Sequence, residues 1–193
     1  MYYTKDADVF VTNDGYRIVY PYDLDTTKQN LTVEQIIQAR QRIPDDIHKV
    51  MQNEIQVVDY KNPEDAYWRT VYKNFTDSYM VGGEKVTVFA NTHHDNDYLV
   101  EAITHEGGHY LDRYLEGTIY DPFSSTTKWA DATADDLALI GFGSVTSYGA
   151  NAMVEDFAES LMMLVKDPDM MERQFPNRTK LLKTLISKHN KKN

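Results

Sequence analysis

Short apolar runs separated by turn residues occupy much of the first half of the chain, and they have the length and spacing of β-strands. Five such runs are predicted strands: residues 8–12, 16–20, 54–60, 78–81 and 85–90. Asn13, Asp14 and Gly15 join the first two runs, and Gly82 and Gly83 join the last two, which predicts two β-hairpins. Together these segments predict a small twisted sheet.

Helical periodicity follows between and after these runs. Thr32 and Gln35 have the spacing of a capping box and predict a helix that ends near Arg42. Pro44 favours the start of a second short helix, and another is expected after Asn62. The second half of the chain is predicted to be helical over residues 98–116, 129–140, 152–166 and 177–193. The predicted fold class is therefore α+β.

The predicted helix over residues 98–116 has two unlike faces. Asp95, Asn96 or Asp97 can cap its N-terminus, and Gly117 can end it. At 100° per residue, its apolar side comprises Leu99, Val100, Ile103, Tyr110, Leu111, Tyr114 and Leu115. Its polar side comprises Tyr98, Glu101, His105, His109, Asp112 and Glu116. We expect the apolar side to pack on the core and the polar side to face a cleft.

The polar side carries the pattern His-Glu-x-x-His, formed by His105, Glu106 and His109. Histidines four residues apart share one helix face, where each can give a ring nitrogen to one tetrahedral zinc ion. Glu106 lies beside that position and can accept a proton from a zinc-bound water. Gly107 and Gly108 are weak helix formers, and they predict the close approach of another backbone. This pattern is typical of zinc metallopeptidases.

Composition limits the function classes further. The chain has 193 residues, of which 41 % are hydrophobic, enough for one globular domain with its own core. No apolar run is long enough to span a membrane, and the first residues lack the apolar segment of a secretory signal. The net charge of −10 disfavours nucleic acid as a partner. Since cysteine is absent, histidine and carboxylate side chains are left to bind any metal.

A zinc site on these two histidines needs a third protein ligand. No histidine lies between His109 and His189, so a carboxylate from a later helix is the alternative. His93 and His94 lie just before the helix, nearly three turns from His105, and are interpreted as loop or cap residues. The candidate acids are Glu155, Glu159, Asp131, Asp135 and Asp136.

Residues 148–159, with the sequence YGANAMVEDFAE, resemble a stretch of the anthrax lethal factor-like metalloproteases and the related Pro-Pro endopeptidases. In those families a tyrosine precedes the glutamate ligand by seven residues and a second acid follows it by four. Tyr148, Glu155 and Glu159 have this spacing. With the histidine motif, the resemblance covers roughly residues 78–187.

The resemblance implies a zincin-like fold with one zinc ion, held by His105, His109 and Glu155. It also implies that Tyr148 donates to the oxyanion of the tetrahedral intermediate, a role that requires a hydroxyl aimed where charge develops. Glu159 would orient a histidine ligand through its free ring nitrogen.

The activity expected from motif and resemblance is hydrolysis of peptide bonds by a zinc-dependent endopeptidase that acts on protein or peptide substrates. We expect a single monomeric domain over residues 1–193, with an N-terminal subdomain of about 1–116 and a helical subdomain of about 117–193. The resemblance implies secretion, and a cytoplasmic location is left open. Two alternatives remain: a zincin-fold docking module without catalysis, and a zinc hydrolase of a non-protein substrate.

The arm of residues 85–90 leads directly into the histidine helix. As an edge strand it could pair with an extended substrate peptide, and as an inner strand it would be an ordinary part of the sheet. On the first interpretation the substrate-binding residues are Lys85, Val86, Thr87, Val88, Phe89 and Ala90.

Overall fold

A five-stranded sheet in the first half of the chain and helices in the second half confirm the α+β prediction. The computed structural model describes residues 7–71, 76–92, 95–141 and 143–191. The strands are β1 (Ala7–Val11), β2 (Arg17–Pro21), β3 (Glu54–Val57), β4 (Met80–Gly82) and β5 (Val86–Val88). The predicted strand 54–60 is shorter than expected and ends at Val57.

The sheet has the order β1-β2-β3-β5-β4. Strands β2, β3 and β5 run parallel, and the two predicted hairpins add β1 and β4 antiparallel at the two edges. Of the two interpretations of the arm 85–90, the edge strand is excluded and the inner strand holds, because β5 pairs with β3 on one side and with β4 on the other. Its backbone groups are therefore used within the sheet, and β4 is the exposed edge at this end.

Eight α-helices are described, and seven of them correspond to predicted helices, whereas α7 was not predicted. They are α1 (Val33–Gln41), α2 (Asp45–His48), α3 (Asp65–Val71), α4 (Asn96–Tyr110), α5 (Thr127–Ile140), α6 (Met153–Lys166), α7 (Pro168–Gln174) and α8 (Pro176–Asn190). Thr32 and Gln35 form the predicted capping box of α1. A short 3-10 turn, Gly149–Asn151, precedes α6, and Ala152 is its N-cap.

Helix α4 carries the histidine motif and begins at Asp95, whose side chain accepts from the backbone N–H groups of Asp97 and Tyr98. Its predicted apolar side is buried at Leu99 and Ile103. The polar side was expected to face a cleft, and this expectation fails at Asp112, whose carboxylate is buried. It accepts from the backbone N–H of Ser124 over 2.6 Å and from its hydroxyl over 2.9 Å. A π-helical turn, Leu111–Leu115, continues α4 towards Gly117.

Helices α4 and α6 make the closest helix contact around the histidine motif. A Cβ atom added at Gly108 would lie 2.5 Å from the Cα atom of Ala158, so the two backbones touch at this point. At Gly107 the same atom would meet the side chain of Met51 at 2.6 Å rather than a backbone. The predicted close approach is therefore confirmed at Gly108, and it fixes the distance between the two helices.

A buried arginine fixes the N-terminal end of α6. Arg178 of α8 is fully buried, and its Nε donates to Asp136 of α5 over 3.0 Å. Its Nη1 donates to both carboxylate oxygens of Asp156 over 2.9 Å and to the carbonyl of Gly143 over 3.1 Å. Because a buried charge is tolerated only when it is paired and hydrogen-bonded, this network ties α5, α6 and α8 into one arrangement.

One cluster of buried apolar side chains includes residues of the sheet and of the helical half, from Tyr16 to Ile186. The division near residue 116 into two subdomains stays a prediction. None of the described helices is long and apolar enough to cross a membrane.

Candidate metal centre

Two elements far apart in sequence bring together three side chains that could bind a metal ion. His105 and His109 lie one turn apart on α4, and Glu155 lies in the first turn of α6. Glu155 Oε2 lies 3.3 Å from His105 Nε2 and 3.4 Å from His109 Nε2. One ligand atom from each residue falls within 4.8 Å of the others, so the three could hold a metal ion.

The spacing and chemistry of these atoms fit zinc. A tetrahedral zinc ion with bonds of about 2.0–2.1 Å separates its ligand atoms by about 3.3–3.4 Å, which matches both distances from Glu155 to the histidines. Glu155 Oε2 is buried and has no hydrogen-bond partner among the described residues. Burial of an unpaired anionic oxygen is energetically unfavourable unless a cation or a proton lies beside it.

The rival acids do not join this group. Asp136 is fully buried and accepts hydrogen bonds from Asn177 and Arg178. Asp131 and Asp135 are exposed on α5. Among the described residues, the carboxylate that meets the two histidines is therefore Glu155. His93 and His94 lie outside the described residues.

Glu159 lies behind the first histidine, one turn after Glu155 on α6. Its Oε1 is 2.7 Å from His105 Nδ1, and its Oε2 accepts from the hydroxyl of Thr146 over 2.6 Å. Burial acts to lower the pKa of His105, but the carboxylates of Glu155 and Glu159 outweigh it and raise that pKa to about 10. The same pairing holds the pKa of Glu155 and of Glu159 below the ordinary range, although burial opposes it.

The side chain of Glu106 contacts the edge strand β4. The backbone N–H of Gly82 in β4 donates to Glu106 Oε2 over 2.6 Å. The side chain of Gln52 donates to the Glu106 carbonyl over 3.0 Å and to the Gly83 carbonyl over 3.2 Å. Burial raises the pKa of Glu106, while His109 and His105 act in the opposite direction. Such a carboxyl group accepts a proton more readily than an ordinary glutamate.

Tyr148 lies over the same site on the segment between α5 and α6. Its ring centroid is 5.7 Å from that of His105, and 53 % of the residue is exposed. Burial of the phenol and the neighbouring Glu155 carboxylate raise the pKa of Tyr148 to about 12, so the hydroxyl keeps its proton at neutral pH. It is therefore available as a hydrogen-bond donor at the mouth of the site.

The structure thus brings His105, His109 and Glu155 together, with Tyr148 over His105 and Glu159 behind it. Glu106, on the same helix, directs its carboxylate to the N–H of Gly82 in β4. The structure does not bring the arm 85–90 to the site as an edge. Sequence reasoning missed Gly82 and Thr146. The glycine pair of a hairpin and a loop threonine carry no signal in one sequence that distinguishes them from ordinary turn residues.

Comparison with known proteins finds similarity at the level of the fold. No protein-family model matches the chain, and no curated protein matches it significantly. Among solved structures, the chain is similar to that described as the structure of the PRO-PRO endopeptidase (PPEP-2) from Paenibacillus alvei. The TM-score is 0.53 at 16 % sequence identity, and the match covers 80 % of this chain and 92 % of that chain. At this identity the likeness establishes a shared zincin-like α+β fold.

Proposed function

We propose that this chain is a zinc-dependent endopeptidase of the Pro-Pro endopeptidase type. The observation that carries the proposal is the placement of Glu155 Oε2 at tetrahedral ligand distances from both histidines of the His-Glu-x-x-His motif. The fold shared with a Pro-Pro endopeptidase supports it independently.

The side chains around the metal position have distinct roles in this proposal. A zinc ion bound there would polarise the scissile carbonyl and lower the pKa of a water molecule. Glu106 accepts the proton of the attacking water and later delivers it to the leaving amine. Tyr148 donates its hydroxyl proton in a hydrogen bond to the oxygen on which negative charge develops. Glu159 orients His105 through Nδ1 so that Nε2 faces the ion.

The edge of β4 offers a place for an extended peptide. Tyr79 and Gly83 direct their hydrogen bonds toward the β5 side, to Phe89 and Lys85. Because backbone groups alternate along a strand, the N–H of Gly82 points to the free edge, where it meets Glu106. A peptide that pairs with this edge would lie beside the carboxyl group that handles the proton. In this proposal the substrate peptide pairs with β4, whereas one interpretation of the sequence gave this role to the arm that forms β5.

The test combines zinc analysis with a peptide library that includes Pro-Pro sequences. Wild type should contain one zinc per chain and cleave peptides. Glu106→Gln should retain zinc and lose nearly all turnover, whereas Glu155→Ala should lose both. Glu172→Gln, an exposed acid on α7, is the matched control and should behave as wild type.

The outcomes separate the proposal from its alternatives. Full turnover in Glu106→Gln would contradict the assigned role of that residue. Zinc without cleavage of any peptide would instead support a zinc hydrolase of a non-protein substrate. A wild type that takes up no zinc even when zinc is added would support a docking module. Zinc retained in Glu155→Ala would place the third ligand elsewhere.

A further inference from the structure

One hydroxyl group links the candidate metal ligands to the segment that carries Tyr148. Thr146 lies two residues before Tyr148, and its Oγ1 donates to Glu159 Oε2 over 2.6 Å. The same oxygen accepts from the backbone N–H of Gly149 over 3.0 Å. A single side chain therefore contacts the carboxylate behind His105 and the backbone next to the candidate oxyanion donor.

The direction of these hydrogen bonds is determined by chemistry. A threonine hydroxyl has one proton, and an ionised carboxylate can only accept, so the Thr146 proton goes to Glu159. The Gly149 amide must then use a lone pair of the hydroxyl oxygen. Glu159 is buried, with one carboxylate oxygen on His105 and the other on Thr146. The result is a continuous chain of hydrogen bonds from His105 to the Gly149 backbone.

Tyr148 needs such support because its own side chain is half-exposed. A hydrogen-bond donor stabilises a transition state only when it is held at the position where charge develops. On the C-terminal side of Tyr148, its turn is held by Asn151. The Tyr148 carbonyl accepts from the backbone N–H of Asn151 over 3.0 Å and from the side-chain amide of Asn151 over 2.9 Å. On the N-terminal side, the turn is held by Thr146.

We propose that Thr146 is a positioning residue that couples the His105–Glu159 pair to the turn carrying Tyr148. The inference rests on the proposed function for its catalytic consequence, but the hydrogen-bond chain itself can be tested without turnover. Thr146→Val keeps the shape of the side chain and removes the hydroxyl. Glu159 Oε2 then loses its hydrogen-bond donor, and the Gly149 N–H loses its acceptor. The hydrogen-bonded connection between Glu159 and the Tyr148 turn is thereby broken.

The first measurement is kinetic, at saturating zinc. Thr146→Val should lower kcat about 10- to 100-fold with KM changed less than about threefold, and Thr146→Ser should restore kcat to within about threefold. Thr184→Val is the control, because the hydroxyl of Thr184 bonds only the Lys180 carbonyl of its own helix among the described contacts. It should match wild type.

A double-variant comparison tests the route through Tyr148. If Thr146 acts through that residue, Thr146→Val combined with Tyr148→Phe should be no slower at saturating zinc than Tyr148→Phe alone. Fully additive losses would overturn the coupling. Turnover of Thr146→Val equal to wild type would overturn it as well.

Two further measurements do not require an active enzyme. Zinc affinity of Thr146→Val, measured by competition with a chelator, should fall about tenfold, since an orienting carboxylate has lost its partner. Amide hydrogen exchange over residues 145–151 should accelerate in the same variant and not in Thr184→Val. Unchanged affinity and exchange would overturn the inference. If wild type binds zinc but cleaves no peptide, the proposed function fails, and these two measurements still decide the part played by Thr146.

Discussion

The backbone N–H of Gly82 and the carboxylate of Glu106 are 2.6 Å apart, so the sheet edge directly contacts the candidate proton acceptor. An added Cβ at Gly82 would lie 2.6 Å from Glu106 Oε2 and 3.0 Å from Glu106 Cβ. The strand can approach the helix this closely only because residue 82 has no side chain.

Gly82→Ala should therefore displace Glu106 and lower kcat/KM about 100-fold, since a shift near 1 Å at a reacting group costs that order of rate. Zinc content should stay at the wild-type value, as measured by elemental analysis. Gly83→Ala is the matched control. Its Cβ would meet Tyr114 Oη at 3.7 Å, an ordinary contact, so wild-type turnover is expected. Equal losses in both variants would contradict a specific effect on Glu106.

Tyr148→Phe should lower kcat about 100- to 1,000-fold with little change in KM, because the hydroxyl would act only as charge develops on the substrate oxygen. Steady-state kinetics on a cleaved peptide would measure this, with zinc content checked in parallel. Tyr120→Phe removes the hydroxyl of a residue that is 92 % exposed and should leave kcat unchanged. A rise in KM alone would mean that Tyr148 binds substrate rather than the transition state.

Gly108→Ala should destabilise the fold, because the new methyl group would overlap the Ala158 backbone, so that α4 and α6 would have to move apart. We expect the free energy of unfolding to fall by about 1–3 kcal/mol, measured by urea denaturation. Gly143→Ala is the control, since nothing lies within 4 Å of its Cβ position. A stable Gly108→Ala variant would show that α4 and α6 can separate without cost.

Glu116 connects the end of the π-helical turn to α8. Its carboxylate accepts from Lys188 Nζ over 2.8 Å and lies 2.5 Å from His189 Nε2. Burial acts to raise the pKa of Glu116, but its hydrogen bonds with Lys188 and His189 hold that pKa below the ordinary 4.5. A carboxyl group whose pKa is lower in the folded state stabilises the fold at pH values above its unfolded-state pKa. This contribution is lost as the pH falls through the folded-state pKa.

Glu116→Gln should accordingly lower the free energy of unfolding by about 1–2 kcal/mol at pH 7. The difference from wild type should shrink as the pH falls below 4.5, followed by denaturation at several pH values. The exposed pair of Glu172 and Lys183 provides the control, because Glu172→Gln should change stability by less than about 1 kcal/mol at any pH. A loss at pH 7 that persists undiminished in acid would point to packing rather than charge.

Local patterns predicted the elements well and their mutual arrangement less well. The capping box at Thr32, the hairpin glycines and the apolar stripe of α4 act within a few residues, so one sequence contains them. Which arm of a hairpin becomes an edge depends on a third strand, and the parallel pairing of β5 with β3 has no local signal. The sequence therefore left both interpretations of the arm 85–90 open.

The same distinction holds at the site. His105 and His109 share a helix face by periodicity alone. The acid that meets them depends on how α6 packs on α4, so the residues themselves left several acids open and the family resemblance selected Glu155. Asp112 was expected on the side that faces the cleft, because a helical wheel does not include the turn near Ser124 that covers it.

The contact of Gly108 with Ala158 has a consequence for metal choice. The candidate ligands lie on two helices whose backbones already touch, so main-chain contact would set the width of the proposed coordination site. Ions that need longer bonds or more ligands would have to push these backbones apart. The packing of two helices thus acts as a size filter, and substitutions far from the histidines that loosen this contact should broaden the range of divalent ions that the chain accepts.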